Sequence, residues 1–346
     1  MKTSISMGVL VVSLLSSLLM DGASSRKDHC HADDRAALLS IDAALGNYFS
    51  ARWTSDDRAC CSWASVHCDP FSGRVTDLYF AQLPNFTGTI PDAIAGLTHL
   101  TVLEFDHLPG VSGAIPPAIA KLSNLSELII SWTSVSGPVP SFLGKLTQLT
   151  LLDLSFNSLS GEIPASIAAL PYLNSIDISR NRLTGALPPL LFSRLSHSSS
   201  QQPAYLRLSH NNLSGSIPAE FAGVEFAQVD LSRNAFAGDA SPLFGVAKQL
   251  QYLDLSRNAF SFNLSGVELP EQINGALLSH NAIYGGIPAQ FGDVAHLYAL
   301  NVSYNRLCGE VPSSLMPGQS SSSDVFCFQH NKCLCGAPLP PCNSLI

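Results

Sequence analysis

One phrase recurs about ten times between Leu78 and Pro312. It reads most plainly as Leu152-Asp-Leu-Ser-Phe-Asn157-Ser-Leu-Ser-Gly161-Glu-Ile-Pro164 and again as Leu300-Asn-Val-Ser-Tyr-Asn305-Arg-Leu-Cys-Gly309-Glu-Val-Pro312. A unit of about 24 residues cannot enclose its own apolar side, so successive copies must stack and share one continuous core. Each copy opens on two apolar residues separated by one other, the alternation of a short strand with one pair inward and its neighbours outward. The inward pairs are Leu78/Phe80, Leu103/Phe105, Leu128/Ile130, Leu152/Leu154, Ile176/Ile178, Leu206/Leu208, Val229/Leu231, Leu253/Leu255, Ala276/Leu278 and Leu300/Val302. They are spaced 24 or 25 residues apart early, then once by 30, then by 23 or 24. The long interval holds a Ser- and Gln-rich stretch from Arg194 to Pro203, which reads as a surface loop insertion.

This pattern specifies an α/β solenoid, a right-handed leucine-rich-repeat superhelix of about ten 24-residue repeats with a concave parallel β-sheet left open. From the fourth repeat an asparagine follows each strand: Asn157, Asn181, Asn211, Asn234, Asn258, Asn281 and Asn305. Turned inward, its amide would satisfy backbone groups that stacking buries. Glycine then lets the chain bend and Ile-Pro sends it outward, as at Gly161 to Pro164 and Gly215 to Pro218. The seventh and eighth repeats lose Ile-Pro after Gly238 and Phe260, so the back of the coil is expected to be irregular there.

The chain divides into a signal peptide over 1–25, an N-terminal capping region over 26–74, the repeats over 75–312 and a C-terminal capping region over 313–346. The signal reading rests on Lys2, the apolar run Val9 to Leu19 and the small residues Gly22 to Ser25. That run is too short to span a membrane, and no second long apolar stretch follows, so the mature product is expected to be secreted without an anchor. All nine cysteines stand at the two ends: Cys30, Cys60, Cys61 and Cys68 before the repeats, and Cys308, Cys327, Cys333, Cys335 and Cys342 at or after the last. Both open ends of a solenoid core need sealing, and disulfides do this in an oxidising compartment. Zinc is disfavoured, because Cys333-Leu-Cys335 lacks the usual gap and no His pair lies near. Between Asp33 and Gly46 the pattern predicts a capping helix, with Ala37, Leu38, Ile41 and Leu45 on its apolar stripe and Asp33 and Asp34 suited to its N-terminal dipole. Trp53, Trp63 and Val66 should join it in covering the first repeat. Five N-glycosylation acceptors appear, at Asn85, Asn124, Asn212, Asn263 and Asn301.

The outward residues carry the functional reading. Between the members of each inward pair stand Tyr79, Glu104, Ile129, Asp153, Asp177, Arg207, Asp230, Asp254, Leu277 and Asn301, a mainly acidic column. Two positions beyond each pair stand Gln82, His107, Trp132, Phe156, Arg180, His210, Arg233, Arg257, His280 and Tyr304, aromatic early and basic late. Any one Asp or Arg is explained by solvated pairing across neighbouring coils. The columns together have the anchors that protein interfaces favour. No His-Glu-x-x-His, Gly-x-Ser-x-Gly or phosphate-cradling Gly-Lys-Thr run occurs, so no cofactor, metal or catalytic set is expected. Net charge of −8 and a secretory leader argue against nucleic acid.

The run Pro117-Ala-Ile-Ala-Lys-Leu122, Thr133-Ser-Val-Ser-Gly137, Ser179-Arg-Asn-Arg-Leu-Thr-Gly185, Ile283-Tyr-Gly285, Leu300 to Gly309 and Asn331-Lys-Cys-Leu-Cys-Gly-Ala-Pro-Leu-Pro340 resemble plant polygalacturonase-inhibiting proteins. The resemblance covers nearly the whole mature chain. It implies a secreted, non-catalytic plant-defence protein of the apoplast and cell wall that docks its concave face on a fungal or insect endo-polygalacturonase and blocks pectin degradation. It leaves pectin itself open as a further ligand. Partner contacts implied by the matching positions are Glu104, Asp106, Asp153, Ser155, Asp177, Arg180, Gln228, Asp230 and Arg257, with Asp153 and Asp177 foremost. The family's disulfides would join Cys30 to Cys60, Cys61 to Cys68, Cys308 to Cys333 and Cys335 to Cys342, with Cys327 left over. Against the family stand a sequence pI of about 5.6, the Arg194 to Pro203 insertion, and the breaks in the acidic column at Leu277 and Asn301. The alternative is a soluble leucine-rich-repeat regulator of signalling or development that binds a peptide or a receptor ectodomain through the same face.

Overall fold

The computed structural model describes residues 30–53, 59–193, 203–315 and 324–342. The signal-peptide reading, and the insertion apart from Arg194's far neighbour Pro203, lie outside the described residues. Parallel strands stack through the repeats in one register, Leu78, Leu103, Leu128, Leu152, Ile176, Leu206, Val229, Leu253, Ala276 and Leu300 lying side by side. These ten residues and their partners two positions on are buried, and they form one face of a core that runs the length of the stack.

Each coil leaves its concave strand through a left-handed residue. Gln82, His107, Trp132, Phe156, Arg180, His210, Arg233, Arg257, His280 and Tyr304 all have φ between 50° and 57°. None is glycine. The turn reverses the chain while the amide still bonds the next coil, as in Trp132 N–H to the Ser155 carbonyl at 3.1 Å and Arg180 N–H to that of Ser209 at 2.8 Å. The backbone ladder thus continues through a conformation that side chains with a Cβ adopt reluctantly.

The asparagine beyond this turn points inward. Asn258 Nδ2 donates to the Leu231 carbonyl of the preceding coil at 2.9 Å and to Leu255 of its own at 3.1 Å, while its Oδ1 accepts from Phe236 N–H at 3.0 Å. The same set recurs at Asn181, Asn211, Asn234, Asn281 and Asn305. In the third coil Thr133 takes the place, and its hydroxyl donates to Asn157 Oδ1.

After the asparagine a second short strand forms, such as Ser158–Gly161, Arg182–Gly185, Asn212–Gly215 and Ala235–Gly238. These pair in parallel into a second sheet beside the concave one. In the second and third coils a single strand, Val102–Gly113 or Glu127–Pro138, serves both. Proline starts the convex segment in the regular coils, fixing φ where no N–H is needed. Pro164 precedes the 3₁₀ turn Ala165–Ala169 and Pro218 precedes Ala219–Gly223. Where Ile-Pro is lost the turns shrink to Ser241–Leu243 and Leu264–Gly266, the irregularity expected of the seventh and eighth coils.

The N-terminal lid is the helix Ala32–Ala44 with His31 as its N-cap. Ala37, Leu38, Ile41 and Leu45 are buried, beside the stacked rings of Phe49, Trp53 and Trp63. Asp34 departs from its expected dipole role. Its carboxylate is fully buried, where it accepts from Arg74 Nε at 2.9 Å, Arg74 Nη2 at 2.7 Å and Val75 N–H at 2.8 Å, locking the helix to the first repeat strand. Val66–Cys68 then pairs antiparallel with that strand and covers the open sheet edge.

At the other end, residues 324–335 form a partial eleventh coil. Phe328 is fully buried, His330 takes the left-handed turn at φ 59°, Asn331 Nδ2 donates to the Val302 carbonyl at 3.1 Å, and Cys333–Cys335 extends the second sheet. Disulfides join Cys30 to Cys60, Cys61 to Cys68, Cys308 to Cys333 and Cys335 to Cys342, the third tying the last repeat strand to the C-terminal cap and the others lying within the caps. Cys327 is free and half-buried, and burial pushes its thiol pKa up, which keeps it weakly nucleophilic.

Candidate functional site

The concave sheet presents its outward column in register: Tyr79, Glu104, Ile129, Asp153, Asp177, Arg207, Asp230, Asp254, Leu277 and Asn301 lie on neighbouring strands and are all half-buried. A fixed device holds the carboxylates. Asp177 Oδ1 accepts from Ser179 N–H at 3.0 Å and Ser179 Oγ at 2.7 Å, and Asp230 does the same with Ser232 at 3.0 and 2.7 Å. Asp153 and Asp254 accept from the N–H of Ser155 and Ser256, both at 2.8 Å. Asn301 repeats the geometry through its amide oxygen, accepting from Ser303 N–H and Oγ, so the last coil keeps the turn without the charge.

Ser155, expected among the contacts, donates its N–H to Asp153 and is part of this support. It is only 4% exposed, because in most coils the position directly after the inward pair folds under the left-handed turn. Ser131, Ser179, Ser209, Ser232, Ser279 and Ser303 are buried in the same way. The other expected contacts, Glu104, Asp106, Asp153, Asp177, Arg180, Gln228, Asp230 and Arg257, are half-buried or exposed and lie along one face or its rim.

Packing carboxylates at strand spacing with few cations between them resists ionisation. Burial, reinforced by Asp106, Glu127 and Asp153, raises the pKa of Glu104; burial, reinforced by Asp177 and Asp106 against the Ser155 hydrogen bonds, raises that of Asp153. Burial likewise raises Asp254. Within the row Arg207 is the sole cation; it lies 3.8 Å from Asp177 and donates to Gln228 at 2.8 Å. A partner that brings positive charge would therefore relieve a repulsion already present.

The left-handed column forms the rim and is ordered by stacking, a feature that strand alternation alone does not reveal. His107 lies on Trp132 with ring centroids 5.0 Å apart, Trp132 on Phe156 at 3.6 Å, and the Arg180 guanidinium over Phe156 at 4.9 Å. At the far end His280, Tyr304 and His330 stack with 4.1 Å between successive rings. Between the two stacks the rim is basic. Arg180, Arg233 and Arg257 make no ion pair among the described residues, so the cross-coil pairing expected of the Asp column is seen there at Arg207 and Asp177 alone. Burial and the neighbouring Arg180 and Arg233 lower the pKa of His210; burial, Arg257 and Arg233 lower that of His280.

The glycosylation acceptors divide by place. Asn85, Asn124, Asn212 and Asn263 are exposed away from the concave column, whereas Asn301 stands within it, half-buried and already hydrogen-bonded. The one close group of metal-ligating types among the described residues is Cys30, Cys60 and Cys61. Each belongs to a disulfide, so no thiolate remains to ligate. No helix among the described residues is long and apolar enough to cross a membrane.

Comparison with known proteins follows the same outline. The profile described as the leucine rich repeat N-terminal domain matches residues 31–69, and that of the leucine rich repeat matches 148–170, 172–193 and 204–224. Polygalacturonase inhibitor 2 of Arabidopsis thaliana is 45% identical over 346 residues, covering 95% of this chain and 97% of that protein. The polygalacturonase inhibitor of Pyrus communis is 46% identical, covering 96% and 97%. Among solved structures, a plant ice-binding protein superposes with a TM-score of 0.83 at 40% identity, covering 92% of this chain and all of that one. The full-length match to the inhibitors, together with the ten stacked coils and their disulfide-closed caps, shows that the chain belongs to the polygalacturonase-inhibitor family of leucine-rich-repeat proteins.

Proposed function

We propose that the protein is a secreted inhibitor that binds pathogen endo-polygalacturonases, fungal or insect, through its concave face and so blocks pectin degradation at the plant cell wall. The observation that carries this reading is the carboxylate row itself. Asp153, Asp177, Asp230 and Asp254 are each held by serine hydrogen bonds, with Arg207 beside Asp177 as the one cation in their row, on a chain 45% identical to a polygalacturonase inhibitor of Arabidopsis thaliana. An enzyme that cleaves a polyanion must carry basic groups along its cleft, and a rigid acidic strip is complementary to them. The basic rim, Arg180, Arg233 and Arg257, would meet carboxylates of pectin at the border of the same contact.

The test is inhibition. Purified protein is mixed with a panel of fungal and insect endo-polygalacturonases, and reducing ends released from polygalacturonate are measured. Saturable inhibition of at least one enzyme is the expected result. Neither inhibition nor binding across a broad panel would remove this reading in favour of a signalling role. Release of reducing ends by the protein alone would contradict a non-catalytic role.

A further inference from the structure

The rim stack of the second to fifth coils has properties that the carboxylate row lacks. Trp132 is 45% exposed although its φ is 50°, a conformation costly for a bulky side chain. It is nevertheless packed on both sides, between His107 and Phe156, and His107 is tied in turn to Asp106 by a 2.7 Å contact. Large aromatic surface already immobilised before binding makes an interface anchor, because little side-chain entropy remains to be lost. Ile129, half-buried and outward on the strand that carries Trp132, adds apolar surface to the same coil.

Around that patch stand Glu104, Asp106, Glu127 and Asp153. The second stack provides a contrast within the molecule. His280, Tyr304 and His330 are ordered as tightly, yet the column beside them holds Leu277 and Asn301, with no carboxylate. Only the first stack therefore joins an exposed apolar surface to surrounding negative charge.

We propose that the Trp132–Phe156 stack is the affinity anchor for the partner enzyme, receiving an apolar side chain of the enzyme that is flanked by lysine or arginine. This rests on the inhibitor reading and assigns separate tasks within it. The carboxylates steer the encounter, and the stacked rings retain the partner once docked.

Binding kinetics of the full chain against an endo-polygalacturonase that it inhibits separate the two tasks. Trp132→Ala is expected to raise the dissociation rate by about 30-fold or more and to change the association rate by less than about threefold. Phe156→Ala should act in the same direction, and Trp132→Phe, which keeps a stacked ring, should recover most of the residence time. Glu104→Gln should instead slow association and flatten its dependence on salt. Thermal unfolding of each variant guards against a trivial loss, and two independent ring variants keep the test decisive if one fails to fold. Unchanged dissociation for both Trp132→Ala and Phe156→Ala, alongside loss of binding in Asp177→Lys, would overturn the anchor while leaving the inhibitor reading intact. A wild-type chain that binds no enzyme overturns the inhibitor reading itself.

Discussion

Asp177→Lys is expected to weaken inhibition by about a thousandfold, in the range found when a charge at the heart of an interface loses its partner. The position is central in the carboxylate row, beside Asp153 on one strand and Arg207 on the other. Lysine there removes one carboxylate and places a cation next to Arg207 and Arg180, so the strip would repel the basic groups that it is proposed to meet. Loss of fold is a poor alternative explanation, because the substitution deletes two hydrogen bonds to Ser179, worth about 1 kcal/mol each, and the 3.8 Å pairing with the partly exposed Arg207, worth about 1 kcal/mol at most. Asp177→Asn refines the test, since Asn301 already holds the same turn with an amide. Its effect should lie between wild type and lysine. Lys145→Glu, a charge reversal on the exposed convex turn Ser141–Lys145, should leave inhibition unchanged.

The largest expected loss of stability lies far from that face. Arg74→Met leaves the Asp34 carboxylate in a fully buried site with only the Val75 N–H as partner. Breaking one side of a buried ion pair costs about 3–5 kcal/mol, whereas replacing both sides with well-packed apolar residues is often neutral or better. Chemical denaturation should therefore show a marked loss for Arg74→Met and recovery in Asp34→Leu with Arg74→Met. Each coil of a solenoid is supported by its neighbours, so the loss should appear first as opening of the N-terminal lid, with the later coils following. An Arg74→Met chain within about 1 kcal/mol of wild type would mean that the helix is held by its apolar stripe alone.

The stack of coils was legible because one alternation repeats. Leu152/Leu154 and its equivalents specify which side chains turn inward, and the asparagine after them specifies where buried carbonyls find donors. The capping helix was legible from its stripe, but Asp34 was not, since only the fold brings Arg74 against it. The rim is legible in the sequence as a column of mixed chemistry, but its order is not. Stacking of His107, Trp132 and Phe156 depends on a left-handed turn at a residue with no glycine or asparagine to signal it. The burial of Ser155 beneath that turn is hidden from the sequence for the same reason. The second sheet and the partial eleventh coil at Phe328 to Asn331 left fainter traces, the first in Ser-Leu-Ser alternation and the second in an asparagine set among cysteines. The partner is a larger step. It rests on full-length kinship with named inhibitors joined to the charge of one face.

Hydroxyl-radical footprinting of the complex with an inhibited endo-polygalacturonase tests the concave-face account most directly, because oxidisable aromatic side chains stand on both sides of the molecule. Trp132, Phe156 and Tyr252 line the concave face and its rim, while Tyr172, 52% exposed, and Phe71, 89% exposed, lie outside it. Complex formation is expected to protect the first three from oxidation and to leave Tyr172 and Phe71 as reactive as in the free protein. Protection of Tyr172 or Phe71 with Trp132 and Phe156 still fully reactive would contradict concave-face docking.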